Sequence, residues 1–370
     1  MAGRFGLSFT ADEIEDFLDK ARGILESGEL TLGPYGELLE RRFAELVGVR
    51  FAITSNSGAT ALEIIFRHLE VAQRKVLVPS NTNFATAAAA VYAGAKIEFY
   101  DSGLFASVAN IEPKLDGSVA AVVIVHIGGF ISPEIRDIVR LCKAHAVPLV
   151  EDAAHAHGAL ADGQMAGTFG QAAAFSFYPS KNITTGEGGI IATNDEQLDV
   201  VARSLRDHGK SFDKLSNERW GNSWRMTELG AAVGVVQLER FDEHQERRRS
   251  TMRRYMDELA DIPRIRFPKV PVCDLPSGYK TIALLDDPAD REGLRDTLQE
   301  TGVPLAKEVY PWPLYRQPVF ADFRPAGALD EADAFCESHV CLPSWKGMTD
   351  HNVTMTIDGI RAYFTKNSRQ

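Results

Sequence analysis

The 370-residue sequence contains little cysteine, no excess of positive charge and no long apolar run. Its four cysteines, Cys142, Cys273, Cys336 and Cys341, show no CxxC spacing, so we expect reduced thiols and no metal site. The formal net charge of -11 and the lack of a basic stripe argue against a nucleic-acid partner. Apolar runs such as residues 119–127 are strand-sized, and the first residues lack the apolar core of a signal peptide. We therefore expect a cytoplasmic protein with no membrane partner.

Short apolar runs alternate with helical patterns from about residue 50 onward. Continuous apolar strands separated by helices indicate a mostly parallel sheet that helices cover on both faces. A nicotinamide-binding fold would need an early G-x-G-x-x-G turn after a strand, and the sequence has none. We predict an α/β fold whose seven-stranded sheet comprises residues 51–54, 76–79, 97–100, 119–126, 148–151, 172–177 and 189–193.

Proline interrupts this pattern after residue 262, at Pro263, Pro268, Pro271 and Pro276. A strand at residues 281–285 and helical patterns near residues 291–301 and 353–364 follow. This order is typical of a smaller α+β domain. We therefore predict a large α/β domain over residues 1–250 and a small C-terminal α+β domain over residues 251–370.

Two helices are predicted from their caps. Thr10 and Glu13 form a capping box before an amphipathic pattern, and Thr227 can cap a helix of small residues. The helical spacing after Thr227 continues through an arginine-rich stretch to Leu259. We interpret these arginines, at 247–249, 253 and 254, as a solvated helix face because acids are interleaved with them.

A lysine and an acid that follow apolar strands suggest cofactor chemistry. The apolar run that ends at Phe177 is followed by Lys181. Asp152 follows residues 149–151, at the carboxyl end of another predicted strand. Taken alone, Lys181 could equally be a loop lysine in solvent. Together the two residues suit pyridoxal 5'-phosphate (PLP), whose C4' bonds to a lysine amine and whose protonated ring nitrogen pairs with a carboxylate.

A candidate phosphate cradle lies earlier in the sequence, at residues 54–62. There a polar turn runs into a helix, whose amide groups and positive end would hold the phosphate. Gly58 lets the backbone come close to a ligand, and Ser176 adds a hydroxyl donor shortly before Lys181. The sequence thus contains the three kinds of group that PLP needs.

Seven stretches carry a resemblance to a known family, and they are SGELTLGP (27–34), NSGATAL (56–62), VPSNTNFATAAAAVYAGAKIEFYD (78–101), VHIGG (125–129), VEDAAHAHGA (150–159), SFYPSKNITTGEGG (176–189) and WRMTELGAAVGVVQLE (224–239). With them the chain resembles the DegT/DnrJ/EryC1/StrS family of fold-type I aminotransferases, within the aspartate aminotransferase superfamily. Members of this family make amino sugars on nucleotide carriers. The resemblance extends from about residue 28 to near the C-terminus.

The resemblance implies a role for each matching residue and a homodimer with active sites at the subunit interface. Lys181 is expected to bond to the cofactor and to move the proton during transamination. Relatives that carry histidine at this position catalyse a sugar dehydration instead, so Lys181 favours transamination. Asp152 is expected to pair with the pyridine nitrogen and His155 to contact the phenolic oxygen. Phosphate contacts are expected from Gly58, Ala59 and Ser176, and across the interface from Ser223.

The cofactor-side residues depart from the family pattern at three positions. Ala59 stands where threonine is usual, and whether Thr60 supplies the missing hydroxyl is left open. Asn83 stands where an aromatic residue stacks on the ring, so either the adjacent Phe84 takes over or the ring is stacked differently. Ser223 stands where asparagine is common.

The substrate-side residues depart as well. Residues 310–315 (YPWPLY) and 342–346 (LPSWK) lack the histidines that many relatives carry there. The aromatic side chains at these positions either stack on a base or sugar or belong to the core or an interface, and we favour the second interpretation. The changes suggest a different substrate within the same reaction.

We therefore expect a PLP-dependent aminotransferase that moves an amino group from an amino acid, L-glutamate, to a nucleotide-linked keto-deoxysugar. Its product would be an amino sugar for a cell-surface glycan or a natural product. The alternatives are an aminotransferase acting on a keto-cyclitol or other carbocycle, a non-catalytic PLP-binding regulatory protein, and a structural α/β domain without a cofactor. The carrier nucleotide and the aminated sugar carbon depend on pocket shape and do not follow from motifs.

Overall fold

The computed structural model describes residues 9–367. Its strands are β1 (Phe51–Ser55), β2 (Lys75–Pro79), β3 (Lys96–Tyr100), β4 (Val119–Val125), β5 (Leu149–Asp152), β6 (Leu160–Ala161), β7 (Gln164–Met165), β8 (Ala172–Ser176), β9 (Gly189–Thr193), β10 (Ile265–Arg266), β11 (Thr281–Leu285) and β12 (His339–Leu342). Its helices are α1 (Ala11–Ser27), α2 (Pro34–Val47), α3 (Gly58–His68), α4 (Phe84–Tyr92), α5 (Val108–Ile111), α6 (Ile135–Ala144), α7 (Glu196–Leu205), α8 (Glu228–Glu239), α9 (Phe241–Glu258), α10 (Asp290–Glu300), α11 (Asp330–Ser338) and α12 (Asp350–Asn367). Within residues 9–367, no helix is both long and apolar enough to cross a membrane.

One seven-stranded sheet dominates the fold, in the order β1-β9-β8-β5-β4-β2-β3. Neighbouring strands are parallel except at β9, which is antiparallel to both β1 and β8. These strands are the seven runs that the sequence predicts. The mostly parallel α/β sheet is therefore confirmed.

Helices cover both faces of this sheet. Every residue of β4 is buried, with Ala121 and Val123 in one apolar core and Val122 and Ile124 in the other. Helices α3, α4 and α7 contribute to the first core, and α2, α6 and α8 contribute to the second. Burial on both faces explains why the strands read as continuous apolar runs rather than as alternating patterns.

The carboxyl ends of the parallel strands meet at one edge of the sheet. Strand β5 ends at Asp152, β8 ends at Ser176, and β1 leads through a short turn into α3 at Gly58. In open α/β sheets, ligands bind beyond this edge. The fold therefore brings the predicted carboxylate, the predicted cradle and the strand before Lys181 to one place.

A second, smaller sheet forms after α9, in the antiparallel order β10-β11-β12. Helices α10 and α12 pack with it around an apolar core that includes Tyr255, Leu294 and Ile360. The strand predicted at residues 281–285 is β11, and the helix predicted at residues 291–301 is α10. The predicted domain boundary at residue 250 lies within α9 and stays a prediction.

The sequence predicts continuous helical spacing from Thr227 to Leu259, but the structure contains two helices there, α8 and α9. The prediction of continuity is therefore wrong. Thr227 caps α8 as expected, by accepting the Gly230 N–H. Arg240, with φ -115° and ψ 18°, then leaves the helical region and separates α8 from α9. The apolar spacing carries across the break because the next residue, Phe241, is still buried.

The arginines of α9 do not form a uniformly solvated face. Arg247 is exposed, as expected. Arg249 instead donates to backbone carbonyls of two other segments, and Arg254 donates to Thr354 Oγ1 at 2.7 Å. The prediction is wrong for these two side chains because they join α9 to other parts of the chain.

Candidate active site

A cavity of about 300 Å³ lies beyond the carboxyl edge of the large sheet. Six of the seven predicted site residues line it, and Ser223 does not. The lining combines backbone at a helix N-terminus with ionisable and aromatic side chains. Its members are Ser57, Gly58, Ala59, Leu62, Asn83, Ala85, Asp152, Ala154, His155, Ala174, Ser176, Tyr178, Lys181, Glu187 and Tyr310.

The N-terminus of α3 forms one wall of the cavity. Ser57 is the N-cap and accepts the Thr60 N–H at 3.1 Å. The Gly58 and Ala59 amides belong to the first turn, where helical N–H groups have no acceptor within the helix. They line the cavity together with Ser176. Amide and hydroxyl donors at the positive end of a helix suit a phosphate group, so this cradle fits PLP.

Only glycine fits at position 58 of this cradle. A Cβ on Gly58 would lie 2.8 Å from the Ser176 Cβ, closer than carbon atoms approach. Backbone contact is equally tight at Gly189, where a Cβ would lie 2.3 Å from the Ser57 carbonyl group. The two glycines therefore let the turn before α3 pack directly against the ends of β8 and β9.

Thr60 does not replace the threonine that is missing at Ala59. Its Oγ1 donates to Asn56 Oδ1 at 2.8 Å, within the turn itself. Thr60 is also not among the residues that line the cavity. This geometry favours a cradle of backbone amides and the Ser176 hydroxyl, and the phosphate contacts stay a prediction.

Asp152 ends β5 and is only 6 % exposed. Its Oδ2 accepts a hydrogen bond from Thr86 Oγ1 at 2.6 Å, and its Oδ1 accepts the Ala154 N–H at 3.1 Å. An ionised carboxylate has about four acceptor sites, so Asp152 can accept a further hydrogen bond from a ligand. Sequence reasoning missed Thr86, because it lies in α4 and no local pattern relates it to β5.

The neighbouring carboxylate, Glu151, has a different role. It is fully buried and accepts the N–H groups of Gly167, Phe169 and Gly170, each at 2.7 Å. The His126 ring donates to it from Nε2 at 2.8 Å. These four donors saturate Glu151, which fixes the loop that leads into β8 and contributes nothing to the cavity lining.

His155 is held as a neutral donor. Burial lowers its pKa well below the usual value, and the charges of Lys181 and Lys280 lower it further. The neutral ring accepts the Gly128 N–H on Nδ1 at 3.3 Å, which leaves the proton on Nε2. Because His155 lines the cavity, this Nε2–H is available to an acceptor atom on a bound ligand.

Lys181 lies in the turn after β8 and contacts an aromatic ring that sequence reasoning missed. Its ammonium lies 5.0 Å from the centroid of Tyr279, within cation–π range. Burial alone would raise the pKa of the Tyr279 hydroxyl, but the charges of Lys181 and Lys280 lower it overall. The same ring stacks on His155 with centroids 4.3 Å apart. Tyr279 therefore fixes the positions of two predicted site residues.

Tyr279 lies beside Lys181 on residues 275–280, a segment just before β11 that bonds to β6 and to the loop after β4. Leu275 exchanges two backbone hydrogen bonds with Leu160, at 2.8 and 2.9 Å. Ser277 donates from its backbone to Gly129 at 2.9 Å and from its hydroxyl to the His155 carbonyl at 2.6 Å. We call residues 275–280 the crossing segment. Its backbone pairing explains why Tyr279 lies beside Lys181.

Neither Asn83 nor Phe84 is placed as a stacking residue of the usual kind. Asn83 lines the cavity but is not aromatic, and its side chain caps α4 by accepting the Ala85 N–H at 2.9 Å. Phe84 is 42 % exposed, packs on Phe320 and is not among the lining residues. Of the two expectations, the geometry favours a ring that is stacked differently.

Ser223 lies outside this cavity. It is exposed, and its Oγ accepts a hydrogen bond from Arg225 Nη2 at 2.7 Å. The resemblance assigns Ser223 to the phosphate bound by the other subunit of a dimer. That assignment stays a prediction.

The aromatic residues of the substrate-side stretches lie in different environments. Tyr310 is buried and lines the cavity. Tyr315 donates to Asp333 at 2.6 Å, and Trp345 packs against the core of the small sheet. Trp312 is exposed. The core interpretation therefore describes Tyr310, Tyr315 and Trp345, and Tyr310 lines the cavity as well.

A comparison with solved structures gives the class of protein. The aminotransferase from Psychrobacter cryohalolentis aligns with a TM-score of 0.90 and 26 % sequence identity, over 97 % of this chain and 98 % of that one. The chain therefore has the fold of the fold-type I PLP-dependent aminotransferases.

Sequence comparisons give the family. The model of the DegT/DnrJ/EryC1/StrS aminotransferase family matches residues 11–361. GDP-perosamine synthase from Vibrio cholerae is 31 % identical over 339 residues, which cover 90 % of this chain and 91 % of that protein. The dTDP-3-amino-3,4,6-trideoxy-alpha-D-glucose transaminase from Streptomyces venezuelae is 32 % identical over 347 residues, 92 % and 90 % of the two chains. The chain belongs to the DegT/DnrJ/EryC1/StrS aminotransferase family, as its motifs indicate, and is a PLP-dependent aminotransferase.

Proposed function

We propose that this aminotransferase binds PLP in the cavity described above and transfers an amino group from L-glutamate to a nucleotide-linked keto-deoxysugar. The product would be an amino sugar for a cell-surface glycan or a natural product. The observation that carries the proposal is that Lys181, Asp152 and the amides at the start of α3 line one cavity. These are the three kinds of group that PLP needs, and they come from three separate parts of the chain.

Each lining residue has a role in this proposal. When bound, PLP would supply an electron sink that stabilises negative charge on the carbon losing its proton. Lys181 would bond to C4' and move the proton between that carbon and C4'. Asp152 would keep the ring nitrogen protonated, and the Nε2–H of His155 would donate to the phenolic oxygen. The cradle would hold the phosphate.

The sugar substrate is proposed from the relatives. One of them is named for a GDP-linked sugar and another for a dTDP-linked sugar, so the names support a nucleotide-linked acceptor without selecting its carrier. L-Glutamate as the amino donor follows from the family resemblance. Both choices can be tested separately, because the two halves of a transamination use different substrates.

We place the enzyme in the cytoplasm and propose that it acts as a homodimer. The first helix supports the dimer, since its apolar Ile14, Leu18 and Leu25 are exposed. Leu30, in the loop after α1, and Leu229, in α8, are exposed as well. A second copy of the chain would cover such a surface. Ser223, exposed and outside its own cavity, would then be free to serve the partner's site.

The test of the first half-reaction is the visible absorption spectrum of purified, PLP-reconstituted protein before and after adding L-glutamate without an acceptor. We expect a visible band that disappears as the cofactor takes up the amino group. The Lys181→Ala variant is the control, since it should bind the cofactor but not undergo this change. A band that glutamate leaves unchanged would contradict the proposed donor, and no band at all would contradict PLP binding.

The acceptor is tested by mass spectrometry of the products formed from GDP-linked and dTDP-linked keto sugars. We expect one of them to gain an amino group in place of its carbonyl oxygen. If a keto-cyclitol is aminated and no nucleotide-linked sugar is, the proposed acceptor is wrong. The assignment as an aminotransferase would be unaffected.

A further inference from the structure

A line of hydroxyl groups leads away from Asp152. Thr86 Oγ1 lies 2.6 Å from Asp152 Oδ2 and 2.8 Å from Thr82 Oγ1. The Tyr310 hydroxyl lies beside the Thr82 side chain and the Asn83 N–H. Thr82, Thr86 and Tyr310 are all buried. We call these three residues the hydroxyl line.

Counting protons fixes the direction of both threonine bonds in the hydroxyl line. An ionised carboxylate only accepts, so the single Thr86 proton goes to Asp152. The Thr86 oxygen then accepts the Thr82 proton. Both threonine protons are therefore directed toward Asp152, and reversing one would leave a buried group unpaired.

The Tyr310 hydroxyl keeps its proton at this place. Burial raises its pKa well above the usual value, and the negative charge of Asp152 raises it further. The residue comes from the loop between α10 and α11, in the C-terminal part of the chain. The hydroxyl line thus connects a carboxylate of the large sheet to a segment far along the sequence.

We propose that Thr86, Thr82 and Tyr310 are positioning residues that hold the Asp152 carboxylate oriented toward the ring nitrogen of PLP. The proposal rests on the proposed function, because Asp152 meets that nitrogen only if the cavity binds PLP. The hydroxyl line occupies Oδ2 and the Ala154 N–H occupies Oδ1, and the remaining lone pairs serve the ring. Without the line, Asp152 would keep one backbone donor, the Ala154 N–H, and its carboxylate would be free to rotate away from the ring.

The experiment compares PLP with its 1-deaza analogue, in which carbon replaces the ring nitrogen. Dissociation constants of both ligands are measured for wild type and for Thr86→Val, Thr82→Val and Tyr310→Phe, each of which removes one hydroxyl with little change in volume. We expect PLP binding to weaken about tenfold in Thr86→Val and about threefold in the other two variants. Binding of the analogue should change by less than about twofold, because its ring carbon gains little from an ionised carboxylate.

Two further variants separate this role from a structural one. Thr356→Val is the matched control, since Thr356 is buried in α12 and its hydroxyl donates to the Asn352 carbonyl at 2.9 Å, remote from the cavity. It should change neither dissociation constant. Thr86→Ser keeps a hydroxyl and should keep the preference for PLP. If Thr86→Val does not fold, the two dissociation constants of Tyr310→Phe are compared with those of wild type instead.

The outcomes distinguish the two proposals. Equal weakening of PLP and its analogue in the hydroxyl variants would overturn the role of the hydroxyl line while leaving the proposed function intact. Wild type that binds both ligands equally would overturn the contact between Asp152 and the ring nitrogen. Wild type that binds neither ligand would instead contradict the proposed function itself.

Discussion

Glu13 and Lys346 form a buried ion pair, with Lys346 Nζ 2.8 Å from Glu13 Oε1. Glu13 also belongs to the capping box of α1 that the sequence predicts and the structure confirms, in which it and Thr10 bond each other's backbone N–H. The His244 ring in α9 is the second side chain that contacts this carboxylate, at 3.0 Å. The Glu13 carboxylate therefore links α1, α9 and the loop after β12.

Removing the charge of Glu13 should destabilise the protein in a pH-dependent way. Burial alone would raise its pKa, but hydrogen bonds from Lys346, the Thr10 backbone and His244 lower it to about 2. A carboxyl whose pKa is lowered by folding stabilises the protein above its ordinary pKa and loses this effect as the pH falls. We expect Glu13→Gln to lower the free energy of unfolding by about 3 kcal/mol at pH 7. Urea denaturation measures this difference.

The same experiment at lower pH provides the check on Glu13. The difference between wild type and Glu13→Gln should shrink between pH 4.5 and about 2. Asp12→Asn, at an exposed position in the same helical turn, is the control and should change stability by less than about 0.5 kcal/mol. A difference that does not vary with pH would show that the ion pair is not the source of the stability.

His157 should make the protein sensitive to acid. Its ring lies among aromatic side chains, including Phe43 and Phe177, and neither ring nitrogen has a hydrogen-bond partner within residues 9–367. Burial, together with nearby cations, lowers its pKa from 6.5 to about 3. The unfolded chain therefore takes up a proton below about pH 6.5 that the folded protein does not, so stability falls as the pH falls toward 3.

His157→Leu should remove this proton uptake. We expect unchanged or greater stability at pH 7, because two unpaired polar atoms leave the core. Between pH 6 and 4, the free energy of unfolding of the variant should fall less steeply with decreasing pH than that of wild type. The two slopes should differ by about 1.4 kcal/mol per pH unit. Urea denaturation at each pH measures the slope. A leucine variant that is much less stable at pH 7 would show that the imidazole contributes a favourable polar contact.

Gly58→Ala should weaken cofactor binding, because the added methyl group would lie 2.8 Å from the Ser176 Cβ. Relieving this overlap displaces the cradle at a cost of about 1–3 kcal/mol, or roughly a tenfold increase in the dissociation constant for PLP. Gly23→Ala is the matched control, since a Cβ there has nothing within 4 Å and replaces a glycine within α1. That variant should be slightly stabilised and bind PLP normally. Normal PLP binding by Gly58→Ala would refute the assignment of the cradle.

Glu228→Gln should loosen the start of α2. The Glu228 carboxylate accepts the N–H groups of Gly33, Tyr35 and Gly36 at 3.0, 2.7 and 2.9 Å, and so caps this helix from α8. Glutamine keeps one acceptor oxygen and turns its amide NH2 group toward the remaining donors. We expect a loss of about 2 kcal/mol in urea denaturation. Glu37→Gln, exposed in the first turn of α2, should cost less than about 0.5 kcal/mol, and an equal loss in both variants would contradict the capping role.

The seven strands and the candidate cofactor-binding residues can be predicted from the sequence because both depend on local patterns. Continuous apolar runs mark strands buried on two faces, and Asp152 and Gly58 lie where such runs end. A polar residue directly beyond a strand of this sheet falls at its functional edge. The family motifs add roles to residues that these patterns had already singled out.

The contacts that the sequence does not predict are all made between distant segments. Thr86 and Tyr279 meet Asp152 and Lys181 only because α4 and the crossing segment pack beside the sheet edge. Neither residue interrupts the sequence pattern of the segment in which it lies, so that pattern gives no sign of these contacts. The break at Arg240 escapes prediction for the opposite reason, since the apolar spacing continues through it although the backbone does not.

The order of residues along the chain also determines when the cavity lining is complete during synthesis. A nascent chain that ends after β9 already contains Asp152, Lys181 and the cradle, and it contains every strand of the large sheet. It lacks Tyr279 and Tyr310, which belong to the last third of the chain. Domains fold from the N-terminus as they are made, so the large sheet can assemble first. Tyr310, which lines the cavity, is added only after this sheet has been translated, so the lining is complete only once the chain extends past residue 310.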